Sequence, residues 1–247
     1  MPRIFCNPST PQHAEFIERL PEIFDTEGEV IYQGRNVLKR FVNEGQRIIV
    51  KSYCDAVWFN RIVYRFFRAP KAQRSYEYAE LLLGFGVGSP LPIGYNIQYR
   101  GLMIGRSFFS CLESECPYTY RDFRKRSFAN EKDILLAIAD TTAKLHEHGV
   151  IHKDYSAGNI LFGTFDDKVK VEIIDLNRIR FEKVGMEEGC RNFDRLPGTP
   201  EALRIMSDEY AQSLAAVFFP FHAVVVFVLH NTVALAYYDA VGGFFIF

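Results

Sequence analysis

The chain of 247 residues has no C-x-x-C pair among its five cysteines, Cys6, Cys54, Cys111, Cys116 and Cys190. Neither a disulfide framework nor a common zinc spacing is supported, and reduced thiols are the default. A basic start followed by an apolar core is also missing. Residues 1–20 carry Pro11, Glu15 and Glu18 instead, so no secretory signal is read there and a cytoplasmic protein is expected. Neither charge is in excess: 29 Lys plus Arg stand against 30 Asp plus Glu. The net charge of −1 removes the global electrostatic reason to expect nucleic acid as a partner, so any basic patch must be local. There is no internal repeat. With 48% apolar and 24% charged residues the chain is neither disordered nor fibrous. At ~150 residues per domain, its length leaves one large domain or two closely joined lobes.

Charge is missing locally as well. No acid occurs from 56 to 76, where Arg61, Arg65, Arg68, Lys71 and Arg74 alternate with Trp58, Phe59, Tyr64, Phe66 and Phe67. That composition suits a surface that meets anionic head groups while burying rings at the interface, and it suits equally an amphipathic helix with its basic face in water. After Arg204 there is no Lys or Arg, and residues 210–238 carry no charge of either sign. The tail from 214 to 247 is therefore atypical and admits three readings: a buried or poorly ordered segment, a shifted reading frame, or a membrane anchor. The uncharged run is long enough to span a bilayer, but Pro220, His222, His230 and Asn231 interrupt it.

What is present changes period along the chain. Val30 to Tyr32, Val37 to Val42 and Ile48 to Val50 read as three short antiparallel strands, with a turn at Asn43-Glu44-Gly45 and Lys51 closing the third. A helix is predicted over 75–83, stopped by Gly84 and Gly86. A loop follows at 88–92, then strand-like sequence at 93–104. In the second half Asn130 is a candidate N-cap for a helix whose apolar stripe is Ile134, Leu135, Ile138, Thr142 and Leu145, ended by Gly149. Val150-Ile151, a polar loop from 152 to 159, Ile160 to Phe162, a turn over 163–167 and a strand over 169–174 come next, and a further helix begins near Glu201. A strand-rich first half and a helix-led second half suggest two lobes.

The polar loop holds His152, Asp154 and Asn159 in the order H-x-D-x-x-x-x-N, and sixteen residues after Asn159 a strand ends in Ile173-Ile174-Asp175. Phosphoryl transfer requires one carboxylate to orient the attacking hydroxyl while an amide and a second carboxylate hold Mg²⁺ against the phosphates. Asp154, Asn159 and Asp175 supply that set in that order. Lys51, at a strand end and followed by a helix bearing Glu77, supplies a cation for the α- and β-phosphates and an acid to orient it. Glu80 lies on the same predicted helix and is the alternative partner. A polar turn between core strands would explain these residues one at a time but not their order. His146, His148 and His152 do not read as a metal site, because His146 and His148 lie two apart and point different ways. His152 reads as a scaffold for the loop. Lys153, Arg178 and Arg180 could meet an anionic acceptor or be solvated charge.

With these residues in place the sequence resembles the protein-kinase-like superfamily, and more closely the lipopolysaccharide kinase family of the Kdo and heptose kinase type. The closer resemblance rests on Val30-Ile31-Tyr32-Gln33-Gly34-Arg35-Asn36, Val50-Lys51-Ser52-Tyr53, Arg74-Ser75-Tyr76-Glu77-Tyr78-Ala79, the loop from His152 to Asn159, and Asp175-Leu176-Asn177-Arg178. Four departures from protein kinases stand out. Gly34 is alone where G-x-G-x-x-G would cover the nucleotide. Leu176-Asn177 follows Asp175 where D-F-G would stand, and no A-P-E-like segment follows. Ser156 takes the place of the Lys found two after the loop Asp in Ser/Thr protein kinases, as in RIO-type and lipopolysaccharide-type kinases. The resemblance implies an α+β, two-lobed protein-kinase-like fold. Its boundaries would be an N-terminal extension over 1–26 and a kinase-like domain over 27–213, with a β-rich N-lobe to about 104 and a mainly helical C-lobe after it. It implies ATP and Mg²⁺ bound between the lobes, with Gly34, Lys51, Glu77, Asn159 and Asp175 on the nucleotide side, Asn159 and Asp175 on the metal, and Asp154 on the acceptor. The expected partner is a lipopolysaccharide precursor, the expected place the inner face of a Gram-negative inner membrane. An aminoglycoside- or choline-kinase type enzyme and a non-catalytic pseudokinase are the alternatives.

Overall fold

The computed structural model describes residues 2–53, 69–101, 103–218, 223–229, 232–238 and 244–246. Most of the basic, aromatic stretch lies outside the described residues. The chain divides into two units, one of Met1–Leu81 with Pro90–Ser114 and the other of Leu82–Ser89 with Glu115–Phe247.

The first unit contains strands β1 (Arg3–Cys6), β2 (Glu29–Gln33), β3 (Asn36–Asn43), β4 (Gln46–Tyr53), β5 (Pro92–Arg100) and β6 (Met103–Leu112), and helices α1 (Ala14–Ile23) and α2 (Lys71–Gly84). The strands form one antiparallel sheet in the order β1-β5-β6-β4-β3-β2. The β3–β4 turn closes on Glu44 and Gly45, both at positive φ (51° and 72°), the backbone a two-residue hairpin needs to match strand twist. The strand-like sequence over 93–104 forms most of β5 and the start of β6, and here the chain makes a hairpin. It reverses beside Gly101 at φ 60°, so the first unit runs on to Ser114, past the boundary read at about 104. Residues 1–26, read as an extension, contribute β1 and α1 to this same unit.

Strand alternation assigns the sheet's two faces. Ile48 and Val50 of β4 join Phe16, Ile17, Leu20 and Phe24 of the α1 region in one apolar core with Phe41, Ile93 and Phe108. Tyr53, two residues beyond Lys51 and on the opposite face from Val50, packs instead with Ala72 and Tyr76 of α2 and with Tyr95 and Ile97 of β5. Lys51 therefore shares the face on which α2 lies. α1 carries Pro21 in its interior, which has no N–H for the Ile17 carbonyl. The fully buried Asn96 of β5 supplies the missing donor, its Nδ2 reaching Ile17 O at 2.9 Å and Glu18 O at 3.1 Å. The end of α1 is tied to β3 in the same way, by the buried Lys39 donating to the carbonyls of Phe24 (2.5 Å) and Glu27 (2.8 Å).

The second unit contains α3 (Glu131–Glu147), strands β7 (Tyr118–Thr119), β8 (Val150–His152), β9 (Ile160–Phe165), β10 (Lys168–Ile173) and β11 (Ile179–Phe181), and helices α4 (Met186–Arg191) and α5 (Pro200–Phe218). Three further strands, β12 (Ala223–Leu229), β13 (Thr232–Tyr238) and β14 (Phe244–Ile246), form an antiparallel sheet in the atypical tail. The tail is thus partly strand, and among the described residues no helix is long and apolar enough to cross a membrane. Ile134, Leu135, Ile138, Thr142 and Leu145 of α3 are buried as their spacing predicts. Asn130 stands at the N-cap position, but its amide donates to Thr164 Oγ1 instead of capping α3. Gly149, at φ 65°, ends α3 and turns the chain directly into β8.

Behind this turn His146 is 3% exposed, and its Nδ1 is hydrogen-bonded to the Tyr210 hydroxyl of α5 at 2.6 Å. Burial lowers its pKa to about 4, with Asn192 and Glu188 opposing the shift. A folded-state pKa below the unfolded value near 6.5 means that the unfolded chain binds the extra proton first. The stabilisation is therefore complete above pH 6.5 and is lost as pH falls toward 4, by about 3 kcal/mol. Urea melts between pH 7.5 and 4.5 should show this acid limb, and His146→Gln should flatten it. The buried His152, shifted in the same direction, leaves part of the limb in the variant. A limb of unchanged depth in His146→Gln would place the loss elsewhere.

Candidate active site

The polar loop between β8 and β9 is shaped by the β9–β10 hairpin that follows it. Its register pairs Ile160 with Ile173, and its turn is made by Asp166 and Asp167, both at positive φ, at the far end of the turn read over 163–167. Equal strand lengths bring the residue before β9 level with the residue after β10, and Ile174 N donates to Asn159 O at 3.0 Å. Asp175 follows at φ 57°, ψ 50°, a left-handed conformation uncommon outside glycine.

His152 holds the other end of the loop. Its Nε2 donates to Ile174 O at 3.2 Å while its Nδ1 accepts from Asp154 N at 3.1 Å, which defines a neutral ring. Burial lowers its pKa, in keeping with that state. One imidazole therefore ties the backbone at Asp154 to the residue before Asp175. Asn159 completes the tie by donating from Nδ2 to Asp154 O at 2.8 Å. Within the loop Ser156 N donates to Asp154 O and Asn159 N to Ser156 O, both at 2.8 Å. Tyr155, fully buried, anchors the loop to α3 through Thr142. Thr142 Oγ1 donates to Ile138 O, so the Tyr155 hydroxyl is the donor at 2.7 Å.

The donor set left at this point is oxygen only. Asn159 has committed its amide N–H to the loop, which leaves Oδ1, and Asp175 contributes a carboxylate whose Oδ1 accepts from Asn177 Nδ2 at 3.2 Å. An amide oxygen and a carboxylate are hard ligands of the kind Mg²⁺ takes with phosphate and water, so the residues fit that ion. The Asp154 carboxylate is held by Arg195 Nη1 at 2.6 Å and Arg178 Nη1 at 3.3 Å. Lys153 pairs with Glu182 and Glu188. Arg178 thus meets a carboxylate of its own chain and Lys153 two others, which settles their partners in this structure. Arg180 lies exposed on β11, opposite Ile151. The Asp154 pairing with Arg195, 41 residues away, has no signal in sequence pattern.

In the first unit Lys51 Nζ lies 5.3 Å from the Tyr53 ring centroid. The Tyr53 hydroxyl donates to Ser75 Oγ of α2 at 2.7 Å, since Ser75 Oγ itself donates to Lys71 O. Glu77, one turn along α2, is exposed and accepts from Gln73 Nε2 at 2.6 Å. Glu80, three residues on, accepts from Asn7 Nδ2 at 3.0 Å. Gly34 sits in the β2–β3 turn, its N–H bonded to Asn36 O, and a Cβ there would meet the Tyr32 hydroxyl at 2.6 Å. Arg74, counted from sequence in the basic stretch, is only 4% exposed and is no part of a solvated face.

Fold and loop define a protein-kinase-like chain. The structure is similar to that of WaaP in complex with acyl carrier protein, with a TM-score of 0.60 over 85% of this chain and 89% of that one at 14% identity. It is also similar to the Rio2 kinase–ADP/Mg²⁺–phosphoaspartate complex from Chaetomium thermophilum, at 17% identity over 84% of this chain and 70% of that one, with a TM-score of 0.48. No curated protein sequence matches. The model of the lipopolysaccharide kinase (Kdo/WaaP) family matches residues 34–215, and the chain belongs to that family. The family is one of lipopolysaccharide kinases, and membership implies a phosphotransferase that uses ATP and Mg²⁺.

Proposed function

We propose that the protein transfers the γ-phosphate of ATP to a hydroxyl of an inner-core sugar, Kdo or heptose, on a lipid A precursor. The observation that supports it most is the joint fastening of Asp154, Asn159 and Asp175 at one end of the β9–β10 hairpin through His152 and the Ile174 backbone, within the stretch matched by the family. Asp154 accepts the proton of the sugar hydroxyl as its oxygen forms the new bond to the γ-phosphorus. The bond to the β-bridging oxygen breaks, and ADP leaves with that electron pair. Asn159 and Asp175 hold Mg²⁺, which when bound neutralises charge on the phosphates. Lys51, oriented by Glu77, fixes the α- and β-phosphates, and the Gly34 turn lies over them. Positioning and charge stabilisation supply most of the rate. The protein works at the inner face of the inner membrane of a Gram-negative bacterium, without nucleic acid.

The test is transfer of labelled phosphate from ATP to a purified Kdo-bearing lipid A precursor, beside soluble sugars, aminoglycosides and choline. Labelling of the precursor at the Kdo is expected. Labelling of a soluble acceptor alone would replace the reading with a small-molecule kinase, and ATP binding with no transfer to any of them would leave a binding module.

A further inference from the structure

The residue assigned to receive the acceptor hydroxyl is covered. Arg195 Nη1 donates to one oxygen of Asp154 at 2.6 Å and Arg178 Nη1 stands 3.3 Å from the other. Among the described residues neither guanidinium meets another acid, whereas the neighbouring cations are matched: Lys153 by Glu182 and Glu188, Arg191 by Glu187. Arg195 closes the short 3-10 turn that follows α4. That turn, α4 and the start of the loop border an open cleft of about 440 Å³ lined by Lys153, Arg191 and Arg195 together with Glu187, Glu188 and Asn192. The volume is within the range of small-ligand sites, ~300–1,000 Å³.

We propose that Arg195 and Arg178 form a substrate-displaced cap on Asp154. An anionic group on the acceptor sugar, a carboxylate or a phosphate, takes the guanidiniums from Asp154 and frees it for the hydroxyl beside that group. An acceptor without the anion leaves the cap in place and is phosphorylated slowly. The proposal rests on the assignment of Asp154 to the acceptor. The exchange is isoelectric, one anion for another. It is also easy: the Arg195 side chain is 56% exposed and that of Asp154 25%, so the pair is screened and weakly held. The arginine fork, moreover, binds carboxylate and phosphate in two-point geometry. The cap makes Asp154 responsive to the acceptor without the docking loop that protein kinases use.

The experiment compares wild type, Arg195→Gln, Arg195→Lys and the Arg178→Gln/Arg195→Gln pair on the Kdo-bearing lipid A precursor and on the same precursor with its Kdo carboxyls methyl-esterified. ATP hydrolysis without acceptor is followed in parallel. Wild type should favour the free acid. The double variant should reduce that preference at least ~10-fold, through a higher KM for the acid and a higher kcat for the ester, with Arg195→Lys in between. Water is a neutral acceptor, so the double variant should also hydrolyse ATP several-fold faster than wild type. An unchanged acid-to-ester preference in a folded, active double variant overturns the cap while the kinase reading stands. If wild type labels neither precursor, the acceptor assignment fails, and hydrolysis alone then decides the cap: a rate no faster in the double variant overturns it.

Discussion

Asp154→Asn is expected to lower phosphate transfer by ~10²-fold or more while leaving ATP affinity within about twofold of wild type. The carboxylate is assigned to the acceptor and not to the metal, so its loss should appear in kcat. Asn is isosteric, and the backbone contacts that shape the loop, Asp154 N to His152 Nδ1 and Asn159 Nδ2 to Asp154 O, do not involve the side chain. A folded Asp154→Asn protein is therefore the expected background. Transfer at nearly full rate in this variant would remove Asp154 from its assigned role without touching the family membership.

Asp175→Ala should abolish most of the thermal stabilisation conferred by Mg-ATP. At nucleotide 100-fold above Kd, wild type gains about 2.7 kcal/mol, a rise of roughly 5–10 °C for a chain of this size. Losing the carboxylate removes a charged ligand of the bridging ion. Alanine at φ 57° also lowers the melting temperature without nucleotide, so Asp175→Asn is the necessary companion: asparagine tolerates the left-handed backbone and isolates the loss of charge. Asn177→Ala, which removes a donor to Asp175 Oδ1, should cost less than either. Equal nucleotide-induced shifts in wild type and Asp175→Asn, measured at the same ATP concentration, would exclude the metal role.

Features encoded by residues close together were legible. The Asn43-Glu44-Gly45 turn announced the β3–β4 hairpin because a two-residue turn at positive φ is a local demand on the backbone. The apolar stripe of α3 and its stop at Gly149 follow from helical period and from the one residue type that ends a helix without strain. The ordered series His152, Asp154, Asn159 and Asp175 could be read because these residues close a strand or lie within two residues of one, whereas Lys51, read as a strand end, lies inside β4, which runs on to Tyr53. Where local and longer-range demands conflicted, the reading slipped. Residues 93–104 have strand character throughout, so only the bend at Gly101 distinguishes one strand from two. The uncharged tail carries hydropathy long enough for a membrane span, yet its described parts past Phe218 are short paired strands, which hydropathy does not distinguish.

Sequence alone determined where most strands and helices lie, through periodicities of two and 3.6, and the order of the candidate site residues; those short motifs carried the resemblance that implied the family and its kinase-like architecture. Tertiary structure decided how the motifs are held and what covers them. Nothing near Pro21 predicts that Asn96 will satisfy the Ile17 carbonyl, and nothing near Asp154 predicts Arg195 on its carboxylate. Such contacts join residues tens of positions apart. A buried carbonyl or a carboxylate states only that it needs a donor, and the packing of strands and helices determines which distant side chain arrives to supply it.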